Sequence, residues 1–173
     1  MKQKQINPQS FKKLWKTKKA TENIEPILLE IIKEYRTKTH KPQWNVTWKD
    51  IADRVFSEYI RLKNTRTDWT CKCVTCWEIL PYTEIQNWHF ISRWNMKYRF
   101  LEENCHPQCY KCNCILSGNY QHYTIYMIDK YWMNKVQEMM NDKTTKEYKK
   151  YEYEEMITER YQYITKKKRK EKK

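Results

Sequence analysis

Apolar residues recur at helical spacing toward both ends of the chain, and the pattern changes in the middle. Pro26 suits a first helical turn, where its missing N–H costs nothing. Ile27, Leu28, Ile31, Ile32 and Tyr35 then share one helix face. His40-Lys41-Pro42 breaks that run. Thr47 is placed to cap a second helix, with Asp50 three residues on in a capping-box position. Ile51, Val55, Tyr59 and Leu62, flanked by Phe56 and Ile60, form its stripe. Both stripes are of the kind that makes ordinary core. Further on, Ile125, Ile128, Trp132, Val136 and Met139 predict one long helix. A charged, tyrosine-rich helix is predicted from about Thr145 to Ile164.

From about Trp69 to Asn119, short apolar and aromatic stretches alternate with turns. Residues 87–92 read as a strand, and a helix is predicted to start near Cys112. There is no internal repeat. Gly118 is the only glycine, so turns must draw on Asn, Asp and Pro. The predicted class is α+β, mostly helical. Its parts are a basic arm and helix over 1–46, a helix leading into the core over 47–68, the core over 69–141, and a C-terminal helix and basic tail over 142–173.

Composition changes this picture in two ways. Hydrophobic residues make up 39% and charged residues 32% of 173, so the core is thin for its length and calls for a staple. The net charge is +14, which points to a polyanion, most commonly a phosphate backbone. A demand for solubility alone is the plainer reading, but the charge is clustered. Seven lysines and no acid lie in the first twenty residues, and the end reads Lys166-Lys167-Lys168-Arg169-Lys170-Glu171-Lys172-Lys173. Both ends read as disordered basic arms that follow phosphates. An anionic membrane would attract them too. However, no apolar run approaches the ~18 residues of a spanning helix and no signal peptide is evident, so a cytoplasmic protein is expected.

Seven cysteines in such a chain argue for metal rather than disulfides. Cys73/Cys76 and Cys109/Cys112 form two Cys-x-x-Cys knuckles, which together supply the four thiolates of a structural zinc. The gap between them, residues 77–108, is longer than in compact ribbons. It must fold as a hairpin carrying something of its own. A redox pair or buried free thiols are the alternatives, and Cys71 or Cys114 could replace a pair member. Cys105 is the other cysteine outside the pairs.

His89 lies mid-gap. A neutral imidazole is suited to activating water, although a lone histidine on an apolar strand is usually core. Asn113 follows Cys112, where its side-chain oxygen could ligate a hard cation such as Mg²⁺ or simply cap a helix. Asn104 is placed to tie loop backbone together.

These residues resemble the HNH, or ββα-metal, nucleases, and more closely the phage NinG (Rap) recombination proteins. The matching stretches are Ser57-Glu58-Tyr59-Ile60-Arg61-Leu62, Cys73-Val74-Thr75-Cys76, His89-Phe90-Ile91-Ser92-Arg93, Arg99-Phe100 and Asn104. Then come His106-Pro107-Gln108-Cys109-Tyr110-Lys111-Cys112-Asn113, Leu116-Ser117-Gly118-Asn119 and Tyr123. The resemblance implies a zinc-stapled HNH-like core that cuts branched DNA (Holliday junctions, D-loops) with Mg²⁺ or Mn²⁺. His89 would be the base, Asn113 a metal ligand and Asn104 the orienter of the loop. Arg93, on the face of His89 and Ile91 if the strand continues, would clamp phosphate. Arg61, Lys63, Arg99, Lys166, Lys167, Lys168 and Arg169 would grip DNA arms. Symmetric cutting would favour a homodimer, with the tyrosine-rich last helix a candidate interface.

The chain departs from that pattern. Trp77 and Trp88 stand where the family favours glycine, as does Trp132. Related nucleases often place an aspartate where Trp88 is, so Glu102, Glu103 and Asn119 are the other candidate metal ligands. The rival class is a non-catalytic zinc module for DNA or RNA, in which Trp69, Trp77, Trp88, Trp94 and Tyr98 either stack bases or pack around the zinc core. A protein-interaction adaptor is a third class, against which the charge speaks.

Overall fold

In the computed structural model, which describes residues 26–38 and 45–171, Thr47 caps a helix as its sequence suggests. Its Oγ1 accepts from the Asp50 N–H at 3.3 Å, and its own N–H donates to Asp50 Oδ2 at 2.8 Å. Helix α2 (Trp48–Lys63) follows. Its predicted stripe of Ile51, Val55, Phe56, Tyr59, Ile60 and Leu62 is buried throughout. Helix α1 (Pro26–Thr37) precedes it, with Leu28, Ile31, Ile32 and Tyr35 buried. The N-terminal basic arm, the Ile27 side chain and His40-Lys41-Pro42 lie outside the described residues.

The chain divides into two units, residues 1–56 with 149–173, and residues 57–148. In the first, the last helix α6 (Lys150–Glu171) buries Ile157, Tyr161 and Ile164, spaced as one helix face. The Tyr161 hydroxyl donates to Glu34 Oε2 at 3.0 Å, and its ring meets Tyr35 edge-on. The face that carries Ile157, Tyr161 and Ile164 is thus packed within the chain, while Tyr151 on the same helix is exposed. This helix also starts and ends later than predicted. The Lys149 N–H is taken by Glu152 Oε2 at 2.8 Å, which sets the start. The basic run Lys166–Arg169 is helical rather than a disordered tail. Lysines form helix readily, and cations at a C-terminus oppose its negative dipole end.

The second unit holds two small antiparallel sheets. Strand β1 (Thr70–Lys72) pairs with β2 (Ile79–Pro81). Strand β3 (Gln86–His89) pairs with β4 (Cys105–Gln108), with Gln86 opposite Gln108 and His89 opposite Cys105. The predicted strand over 87–92 therefore stops at His89. Beyond it the chain bends, and a short helix α3 (Met96–Arg99) and a 3-10 turn (Glu102–Asn104) lead into β4. A π turn (Lys111–Ile115) follows β4, and then helix α4 (Tyr120–Tyr131) and helix α5 (Met133–Asn141). The helix predicted near Cys112 is this π turn.

The single long helix predicted over 125–139 is instead broken at Trp132, whose φ of 68° and ψ of 152° no helix accommodates. The break resets the helical phase. Tyr123 and Met127 of α4 share a cluster with Val136 and Met139 of α5, Phe90 and Tyr98. Ile125 and Trp132, expected inside, are 66% and 79% exposed.

With one glycine, this chain places Trp69, Trp77, Ser117, Asn119 and Trp132 at positive φ, where only Asn among them is at ease. Trp77 and Trp132 stand at two of the positions where the resemblance implies glycine, and both have positive φ. Gly118 has φ +91°, and a Cβ there would lie 2.9 Å from Trp88 Cε2 and 3.1 Å from Cζ2. The indole is wedged against bare backbone. Gly118→Ala is expected to cost about 2 kcal/mol or more in urea unfolding, from strain and overpacking together; a loss under about 0.5 kcal/mol would contradict this packing.

Candidate metal centre and active site

The first knuckle is a closed turn on the β1–β2 hairpin. The Cys73 N–H donates to the Glu78 carbonyl at 2.8 Å, and the Trp77 N–H to the Cys73 carbonyl at 3.0 Å. The Val74 N–H then reaches the Pro107 carbonyl at 3.0 Å, fastening this knuckle to β4. The second knuckle runs from the end of β4 into the π turn, where the Cys112 N–H points at Cys109 Sγ, 3.4 Å away.

The sulfurs of Cys73, Cys76, Cys109 and Cys112 lie within 4.8 Å of one another. Cys76 Sγ and Cys109 Sγ are 3.6 Å apart, close to the ~3.8 Å edge of a tetrahedron with zinc–sulfur bonds near 2.3 Å. Burial pushes the Cys73 thiol up, but hydrogen bonds from the Thr75 hydroxyl and the backbone of Cys76, Cys109 and Thr75 hold it down to about 6. Asn119 Nδ2 donates to Cys112 Sγ at 3.5 Å, an outer contact that orients a ligand. Four thiolates this close repel unless a cation lies among them, and the set fits a metal such as zinc. Cys71, Cys105 and Cys114 stand outside it. Cys71 and Cys105 donate to the Asn64 and Arg99 carbonyls, and Cys114 is exposed.

His89 ends β3, half-buried, with Nε2 2.9 Å from the Arg99 carbonyl. A carbonyl only accepts, so Nε2 carries the proton and Nδ1 is the basic nitrogen of the neutral ring. Asn104, fully buried, locks the chain just beyond. Its Oδ1 accepts from the Ile91 N–H at 2.6 Å, and its Nδ2 donates to the carbonyls of Ile91 and Tyr98 at 2.9 and 3.0 Å. The Phe90 N–H donates to the Asn104 carbonyl at 2.8 Å. Arg99, expected to grip DNA, is buried instead, and its guanidinium donates to the Arg93 carbonyl at 2.6 Å.

Asn113 is buried in the π turn and caps no helix. Its Nδ2 donates to Gln86 Oε1, while its Oδ1 is buried without a hydrogen-bond partner. Gln86 and His89 are three residues apart on β3, so their side chains leave opposite faces. The structure therefore does not join Asn113 and His89 in one hydrogen-bonded cluster. Arg93 is exposed in the turn after β3, and the alternation expected to align it with His89 ends with the strand. Glu102 accepts from the Tyr59 hydroxyl at 2.9 Å and pairs with Lys63. Arg61 donates to the Ser57 and Tyr82 carbonyls. Glu103 is exposed.

His106 was not singled out by its chemistry, yet it is the most enclosed imidazole among the described residues. It stands opposite Trp88 across the sheet, with Nδ1 2.9 Å from the Tyr123 hydroxyl and Nε2 3.1 Å from that of Tyr131. Tyr123 and Tyr131 are eight residues apart, one helix face, which is the signal available beforehand. Burial, then the nearby Lys130 charge, push its pKa down to about 3.

A family model described as the bacteriophage lambda NinG protein matches residues 2–172. The chain belongs to the NinG family. That membership implies a phage recombination-related role. No curated protein and no solved structure matches it. Among the described residues, no helix is long and apolar enough to cross a membrane.

Two outcomes follow for this NinG protein. Elemental analysis of the purified chain is expected to find about one zinc per molecule, lost in Cys109→Ser; a metal-free, folded wild type would refute the centre. His106 gives a pH signature. Its folded pKa lies below the unfolded ~6.5, so only the unfolded chain takes a proton between about pH 6.5 and 3. Stability therefore falls as pH drops through that window, by up to about 1.4 kcal/mol per unit. Urea unfolding of wild type and His106→Gln, run in parallel from pH 7 to 5, is expected to show the steeper loss in wild type; equal slopes would remove the assignment.

Proposed function

We propose that this NinG protein is a structure-selective DNA endonuclease of recombination that hydrolyses phosphodiesters in branched DNA such as Holliday junctions and D-loops. The observation that carries this reading is His89. It is an imidazole at the end of β3 whose Nε2 is fixed by the Arg99 carbonyl and whose following loop is pinned by Asn104. A base held this way can take a proton from an attacking water without first reorganising.

The Asn113 Oδ1, buried and unpartnered, is the kind of oxygen that suits a hard cation. A Mg²⁺ or Mn²⁺ ion beside the phosphate would neutralise charge developing on it; Asn113 lies toward the β3 face opposite His89, so His89 would need its ion from another ligand. Exposed Arg93 is in a position to meet a phosphate from the same loop. The basic helix end, Lys166–Arg169, and the lysine-rich N-terminus supply backbone grip without base readout.

A non-catalytic zinc module that binds DNA has two observations in its favour. Trp88 offers no carboxylate, and Asn113 is bonded to Gln86, whose side chain leaves the face of β3 opposite that of His89. One assay separates the two readings. Labelled four-way junction, duplex and single strand are incubated with Mg²⁺, Mn²⁺ or EDTA. Metal-dependent cleavage of the junction is expected, slowed at least about a hundredfold by His89→Ala, with binding within about twofold of wild type. Junction binding without cleavage under any divalent ion would sink the enzyme reading and leave the module. Undiminished cutting by His89→Ala would remove the base assignment.

A further inference from the structure

Trp132 joins α4 to α5 at a backbone conformation, φ 68° and ψ 152°, that is close to glycine-only territory. It serves as C-cap of one helix and N-cap of the next, and its side chain makes no capping hydrogen bond to either. Its indole is 79% exposed and has no hydrogen bond or ring partner among the described residues. Trp77 makes a useful contrast. It also sits at positive φ (67°), but its ring carries Lys72 at 4.8 Å and its Nε1 donates to the Val74 carbonyl at 3.3 Å. For Trp132 the fold gives no such return. Glycine would relieve the strain, and a serine or aspartate would cap α5. The largest side chain stands there instead, aimed outward.

The surroundings say what would lie on it. Lys130 is in the last turn of α4 and Lys135 in the first turns of α5. Lys130 is held over the rings of Tyr126 and Tyr131 at 5.4 and 5.2 Å, and Lys135 is shared with Glu138 at 3.1 Å. An exposed flat aromatic flanked in sequence by Lys130 and Lys135, on a chain of net charge +14, suits a base flanked by phosphates. We propose that Trp132 stacks on an exposed nucleobase face, one not covered by a neighbouring base, and so selects branched or bulged DNA over intact duplex. This rests on the DNA-binding reading above, and it adds the residue that tells branch from duplex. A base inside a continuous stack has no free face to offer, whereas one at a branch point or bulge does.

Trp132→Gly is the decisive variant because it acts on strain and on recognition in opposite directions. It is expected to melt at a higher temperature than wild type while binding a four-way junction or a single-base bulge about tenfold more weakly, with duplex affinity unchanged. Trp132→Phe should keep most of the junction affinity. Junction and bulge binding equal to wild type in Trp132→Gly would overturn the stacking role and leave the DNA-binding function standing. Failure of wild type to bind any DNA would overturn the function and this role with it. A wild-type dimer that Trp132→Gly renders monomeric, with no change in DNA binding, would assign the indole to a second copy instead and so overturn the proposal.

Discussion

Four cysteine sulfurs brought within one coordination sphere are the constraint on which the rest of the second unit depends. The sheets are two strands each, too short to persist alone. The first knuckle is fastened to β4 through the Val74 N–H, and the second grows directly out of β4 into the π turn. The thiolates tie a hairpin on one side to a strand and turn on the other. Without a cation to offset their mutual repulsion, the same four groups would push those pieces apart. A metal bound by the four cysteines would supply folding energy at one point in place of the apolar area that this composition lacks.

The loop after β3 is held by its own hydrogen bonds. His89 stands at the last residue of β3, where strand geometry gives out, and a fully buried amide takes over. Asn104 satisfies both backbone groups of Ile91 and the carbonyl of Tyr98, so the chain after the histidine is held as firmly as the strand before it. On the other face, Trp88 seats on Gly118 and His106 sits between two tyrosine hydroxyls. That face is sealed by aromatic packing and leaves the ring of His89 on the opposite one.

Much of this was legible in advance, for identifiable reasons. The Thr47–Asp50 cap and the α2 stripe are local rules, and they hold atom by atom. The cysteine pairs were legible because two thiolates in one knuckle have few other uses. The breaks were not. Periodicity alone carries the 125–139 pattern across Trp132, since a tryptophan gives no sign of the left-handed backbone that a glycine would announce. Asn113 reads as a cap or a ligand from sequence; it caps no helix, and its Nδ2 has an unforeseen partner in Gln86, a contact set by tertiary packing. Arg99 reads as a surface cation in any charge count, but its head group is needed inside to hold the Arg93 carbonyl. The basic C-terminus reads as an arm because charge runs usually are, yet it is helical, as the helix propensity of lysine allows.

The central claim is that the cysteine centre holds the histidine loop in place, and amide hydrogen exchange tests it most directly. The NinG protein is compared with its metal present and after stripping by a strong chelator under reducing conditions. The Val74 amide reports the join between the first knuckle and β4, and the Ile91 amide reports the loop beyond His89. The account predicts that both lose protection together when the metal is removed, while amides in α1 keep theirs. Protection of Ile91 unchanged in the stripped protein would contradict it.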